Sequence, residues 1–229
     1  MRIKFIFLIM TMLAASAQAQ GPWPQERPDQ REQVVINEDG GRAFIVKPSS
    51  ALLSGIAKPG GPIVAELQQY SIFIGSGWAD PALRTREPRL SNLLVSIRDH
   101  AQLDEIEQAG IKNRFGATFS LEKLDLAGNR NISDLEIQSL LAEMFRDGPL
   151  TEPTGDAVYV VYLDPGLHST LGSLVADKHY IAYHSFFNTS DGKIHYAVVP
   201  FQPDSKAHYQ IGLRALVVAA LNPTGSSAN

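Results

Sequence analysis

Apolar and polar positions along this chain follow two periods. Alternating or unbroken apolar runs mark strands, and repeats of three to four residues mark helices. Residues 67–74 mix β-branched and aromatic types and read as a strand, which Gly75-Ser76-Gly77 ends before Trp78. Pro88 then suits the first turn of a helix, with Leu90, Leu93, Leu94 and Ile97 at helical spacing. Residues 115–121 read as a second strand. Ser133-Asp134-Leu135-Glu136 predicts a capping box, and Ile132 with Ile137 falls where a hydrophobic staple forms. Ile137, Leu140, Leu141, Met144 and Phe145 make one apolar face before Asp147-Gly148-Pro149 stops the helix.

The run 157–163, Ala-Val-Tyr-Val-Val-Tyr-Leu, has the composition of a strand buried on both faces. Asp164-Pro165-Gly166 ends it. Residues 180–187 and 194–201 read as strands joined in a hairpin at Asp191-Gly192. Residues 208–221 form a helix that is apolar almost all round, hence central, and Asn222-Pro223 ends it. The order of elements predicts an α/β fold: a single domain with a mixed, mostly parallel sheet, a β-hairpin and packed helices.

The two ends of the chain differ from this pattern. Arg2 and Lys4, an apolar stretch over 5–13 and Ala17-Gln18-Ala19 together resemble a cleavable export signal at 1–19, with cleavage between Ala19 and Gln20. The stretch is too short to span a bilayer, which takes about 20 apolar residues. Residues 20–60, interrupted by Pro22, Pro24, Pro28, Pro48 and Pro59, read as a tail or linker in which only 42–47 could pair as a strand. The compact domain is expected over 61–223, with a tail at 224–229. The expected destination is periplasmic or secreted, with no transmembrane span after cleavage. The sequons Asn131-Ile132-Ser133 and Asn188-Thr189-Ser190 are short enough to arise by chance, and we read both as unmodified.

Composition narrows the function classes. Of the 229 residues, 44% are apolar and 19% charged, which excludes wholesale disorder. Cysteine is absent, so disulfides, thiolate zinc sites and a cysteine nucleophile are excluded. The net charge is −4, becoming −6 on loss of the two leader cations, so nothing suggests nucleic acid as a partner.

Candidate chemistry centres on histidine. His168, His179, His184 and His195 follow the apolar strand, and His184 and His195 flank the hairpin. Imidazole serves as a metal ligand or a general base. However, no His-x-His or His-Glu-x-x-His spacing occurs, and satisfied surface or core histidines fit the sequence better. His168, His184 and His195 are therefore metal candidates only, and no cofactor is expected. His184 and Ser185 point to opposite faces of a strand and cannot act together. Gly75-Ser76-Gly77 resembles half a phosphate loop but lacks the lysine, so a tight turn is the expected role. Asp156, Asp164, Asp177 and Asp191 read as turn residues. Trp78 with Tyr70, Tyr180 and Tyr183 could form an aromatic sugar-binding surface, against the commoner role of core packing. Trp78, Tyr183, His184 and His195 are thus the candidate ligand or surface site.

Several segments together resemble the Exordium (phosphate-induced protein) family. They are Gly61-Pro62-Ile63-Val64, Tyr70-Ser71-Ile72-Phe73-Ile74-Gly75 with Trp78, Asp147-Gly148-Pro149-Leu150, and the strand from Val158 to Asp164-Pro165-Gly166. To these add Ile181-Ala182-Tyr183-His184-Ser185, Ile194-His195-Tyr196-Ala197-Val198-Val199-Pro200, and Ala219-Ala220-Leu221-Asn222-Pro223. The resemblance is patchy and covers about 61–223. It implies an exported protein with a scaffold like the zincin N-terminal subdomain. Plant members carry cysteines, which this chain lacks. Bacterial members of this type often end in a helix reading His-Glu-Leu-x-Glu, similar to the metal-binding helix of zinc peptidases. The matching positions here are Arg214, Ala215, Leu216 and Val218. Arginine offers only donors and cannot ligate zinc, so the resemblance implies a degenerate, non-catalytic member. The expected role is binding to a protein or cell-envelope component. The alternatives are a metal-dependent, peptidase-like hydrolase or metal binder using His168, His184 and His195, and an exported structural domain without a small-molecule site.

Overall fold

The computed structural model describes residues 33–37, 40–46, 62–97, 100–112, 115–121, 130–150 and 154–224. The expected leader, most of the expected linker and residues 225–229 lie outside them. In chain order the elements are β1 (Gln33–Ile36), β2 (Arg42–Val46), β3 (Gln68–Ile74), a 3-10 turn (Ser76–Ala79), α1 (Pro81–Arg84), α2 (Glu87–Leu90), α3 (His100–Gln108) and β4 (Phe115–Leu121). Then come β5 (Asn131–Ser133), α4 (Asp134–Arg146), β6 (Ala157–Leu163), β7 (His168–Leu171), β8 (Leu174–Val175), β9 (Ala182–Asn188), β10 (Lys193–Val199) and α5 (Ser205–Leu221).

Seven strands form one sheet in the order β1-β2-β9-β10-β6-β3-β4, and β5-β7-β8 form a small second sheet. The expected α/β class with a mixed sheet and a β9–β10 hairpin is observed. The sheet is not mostly parallel, however. The β10–β6, β6–β3 and β3–β4 pairs are parallel, whereas β1–β2, β2–β9 and β9–β10 are antiparallel. Two strands precede the expected domain start at 61: β1 and β2, within the stretch read as a tail or linker, pair into the main sheet. Periodicity misses this because a four-residue edge strand such as β1 carries little apolar pattern; it gains its stability from the ladder with β2.

β6 sits between β3 and β10 and all seven of its residues are buried, as its unbroken apolar run predicts. One face of the sheet packs on α5 and on the segment carrying Leu90, Leu93 and Leu94. The other packs on α4 through Ile137, Leu141 and Met144, and on the small sheet through Leu171. The long helix expected after Pro88 is instead the single turn α2, followed by turns.

The capping box forms as read. The Ser133 N–H donates to the Glu136 carboxylate at 2.7 Å, and the Glu136 N–H to Ser133 Oγ at 3.3 Å. It places the next residue, Asp134, under the sheet with 1% exposure. There Oδ1 accepts from the Tyr183 and Tyr196 hydroxyls at 2.8 and 2.7 Å. Oδ2 accepts from Asn37 Nδ2 at 2.7 Å and Gln138 Nε2 at 2.9 Å. Burial, then the Asp134 charge, push both phenols well above their ordinary pKa, so they remain donors. One carboxylate thereby ties α4 to β9, β10 and the β1–β2 turn. Asp134→Ala would orphan four buried donors and is expected to cost about 4 kcal/mol. Asp134→Asn, keeping one acceptor oxygen, falls between. Urea midpoints at unchanged m-value measure both, and a loss for the alanine variant under about 1 kcal/mol contradicts the network's role.

Candidate functional site

The segment 81–90 and the start of α5 meet near the C-terminal ends of β3, β6 and β10, the edge where open α/β sheets bind ligands. Local sequence builds both sides. Asp80 caps α1 by accepting from the Ala82 N–H at 2.7 Å, with Pro81 in the first turn. Asp204 caps α5 by accepting from Ala207 at 2.6 Å. The end of α2 is pinned from below by Gln69, which is fully buried. Its Nε2 donates to the Leu90 carbonyl at 2.6 Å and its Oε1 accepts from the Leu93 N–H at 3.0 Å. The Tyr162 hydroxyl also donates to the Leu90 carbonyl, at 3.2 Å. These bonds hold a segment too short to be a stable helix by itself.

Between the two sides lies a pocket of about 380 Å³. Arg86, Arg89, Thr85, Ser205, His208 and Tyr209 are among its walls, and among the described residues no Asp or Glu lines it. Arg86 donates to the Gln202 and Pro203 carbonyls at 3.0 and 2.9 Å, with its guanidinium 5.4 Å from the Phe201 ring centre. Arg89 lies 4.1 Å over the Tyr209 ring, whose hydroxyl is tied to the Leu93 carbonyl at 3.0 Å. Among the described residues neither guanidinium has an acidic partner.

His208 is fully buried, and among the described residues neither ring nitrogen has a hydrogen-bond partner. It stands among Trp78, Tyr162 and Phe201, with ring centroids at 6.1, 5.6 and 5.6 Å. Burial, and secondarily the Arg86 charge, lower its pKa to about 4. The ring is therefore neutral near pH 7, with one donor and one acceptor nitrogen.

The neighbouring Gly75-Ser76-Gly77 turn is an anchor for a carboxylate of the chain itself. Asp164, at the end of β6, accepts from the Gly77 N–H at 2.6 Å and the Gly166 N–H at 2.7 Å. A Cβ on Gly75 would overlap that carboxyl group, and its φ of +112° also requires glycine. This clamp sets the turn that carries Trp78, and it gives Asp164 the turn role read from sequence.

The sequence-derived site residues do not form one site. Trp78 is buried in the α5-side core against Phe73, whereas Tyr180 and Tyr183 are buried on the opposite face. The aromatic-surface expectation is thus corrected: these rings pack the interior on both sides of the sheet. His184 and His195 lie on the α5 side, His184 stacked on Phe44 at 5.0 Å. His195 Nδ1 donates to the Pro223 carbonyl at 3.2 Å, and burial lowers its pKa. His168 is exposed in the small sheet, so the three candidate histidines do not converge. Among the described residues no group of three or more His, Asp or Glu side chains is placed to hold a metal. Nor is any helix there long and apolar enough to cross a membrane. The peptidase-like positions Arg214, Ala215 and Val218 are all buried in α5.

Comparison with protein-family models, curated proteins and solved structures gives no match for this chain. The pocket residues Arg86, Arg89 and His208 escaped the sequence reading. The available clue was the three-residue spacing of the two arginines, which puts them on one side of a helical turn.

The buried histidine has a thermodynamic consequence. Unfolded, an imidazole titrates near about 6.5; folded, His208 titrates at about 4. Between these values the unfolded chain holds more protons, so stability is kept above about 6.5 and falls as pH drops towards about 4. His208→Phe removes this linkage without breaking a hydrogen bond. It is expected to match the natural chain near pH 7.5 and to exceed it by about 2 kcal/mol near pH 5, read from denaturant unfolding at both pH values.

Proposed function

We propose that the chain is an exported, non-catalytic binding domain whose ligand seats in the pocket between α2 and α5. The observation that carries this is His208. A buried imidazole without partners is a costly feature in a wall that also holds two arginines with no acidic partner among the described residues. Polar groups left unsatisfied at a pocket wall are the ones a bound molecule can satisfy. The pocket's size falls within the range of small-ligand sites.

Export is read from the leader-like residues 1–19. The Exordium resemblance belongs to the same reading, with a sheet and backing helix arranged like a zincin N-terminal subdomain. In that scheme α5 serves as a core element, because Ala215 and Val218 offer only packing groups and Arg214 cannot bind a metal.

Expression of the full chain in a secreting bacterial host, with N-terminal sequencing of the exported product, tests the first half. The expected mature residue is Gln20, and a product retained in the cytoplasm with Met1 intact contradicts it. A fragment library screened by amide chemical-shift mapping tests the second. Shifts should concentrate on 82–90 and 202–209; hits confined to other surfaces would remove the pocket from consideration.

A further inference from the structure

The chemistry of the pocket narrows the ligand, on the reading that this pocket is the binding site. We infer that it takes a small hydroxylated oxyanion, with a carboxylate or phosphate head on Arg86 and Arg89 and a hydroxyl at His208. Three observations converge on this class.

The first is charge. Two guanidiniums line one pocket, no acid among the described residues lines it with them, and the chain as a whole is acidic. Arg86 spends two donors on the Gln202 and Pro203 carbonyls, which leaves three of its five N–H groups. Those two bonds also hold it rigidly, so little side-chain entropy remains to be lost on binding. Arg89 is oriented by the Tyr209 ring rather than by a carboxylate. Planar guanidiniums held in this way match the paired oxygens of carboxylate and phosphate. The start of α5 adds little to this, because the Asp204 carboxylate already occupies the capping position.

The second is His208. It is fully buried, both nitrogens lack partners, and it lines the same pocket. Its neutral ring at ordinary pH does not favour an anion. It favours a group that both donates and accepts, and a hydroxyl does both. The third is the rest of the wall. Ser205 adds a hydroxyl, Thr85 keeps only acceptor capacity because its hydroxyl donates to the Ala82 carbonyl at 2.7 Å, and Tyr209 adds an aromatic face partly covered by Arg89. This suits a polar, hydroxyl-bearing molecule better than an apolar one.

Calorimetric titration of the full chain with glucuronate, glucose 6-phosphate and neutral glucose tests the inference. At least one anion should bind, with affinity falling as salt rises, and glucose should not. Which anion binds decides between the carboxylate and the phosphate head. Arg89→Gln should weaken binding by about tenfold or more. His208→Phe should weaken it by about fivefold while the fold persists at neutral pH. If neither anion binds at about 10 mM, the ligand class is wrong. The same holds if glucose binds equally well, or if Arg89→Gln has no effect. Amide shift mapping in the same titrations separates the two levels. Binding within 82–90 and 202–209 that is indifferent to charge overturns the oxyanion and keeps the pocket. Anion binding that maps to another surface overturns both.

Discussion

The fold depends on one buried carboxylate. Asp134 accepts four hydrogen bonds from groups that lie far apart in sequence. Its donors come from the turn after β1, from α4 itself, and from β9 and β10. An apolar contact tolerates sliding and repacking, whereas a carboxylate with both oxygens committed accepts one arrangement. The network therefore specifies where α4 docks, and with it how the far half of the sheet is assembled. A shifted register on β9 or β10 would carry a tyrosine hydroxyl to the wrong face.

The opposite face shows the same logic with a different outcome. Gln69, Tyr162 and the Leu90 carbonyl satisfy one another and anchor α2. Asp164 satisfies the glycine turn that carries Trp78. Beside these closed networks stands His208, whose nitrogens find nothing. Trp78 Nε1 and Ser91 Oγ nearby are likewise buried without partners among the described residues, but only His208 combines this with a place in the wall of the cavity. Rigid support around an unsatisfied group is the arrangement by which a binding site is preorganised.

Much of the architecture was legible along the chain. The capping box at Ser133 and Glu136 formed as read, because its geometry is local to four residues. The buried run 157–163 became the central strand, because a strand covered on both faces has no polar position to reveal. The hairpin at Asp191-Gly192 also formed, within a loop that leaves Asn188 paired with Lys193. Other elements were not legible. β1 exists through its partner strand, and α2 through the bonds to Leu90. Neither carries enough periodicity of its own. The histidines clustered in sequence yet separated in space, because alternate strand positions and a second sheet took them apart.

What the sequence determined by itself is the local grammar: caps, turns, the period of each apolar run and the α/β class that follows. Those depend on neighbours within about one helical turn or one strand, so they survive without knowledge of the rest. Only the tertiary structure decided which residues meet. It placed Asp134 beneath two tyrosines some 49 and 62 positions away, and it set Arg86 and Arg89 against His208. Such encounters follow from strand order and helix docking, and these arise from long-range burial and hydrogen bonding that no single segment encodes.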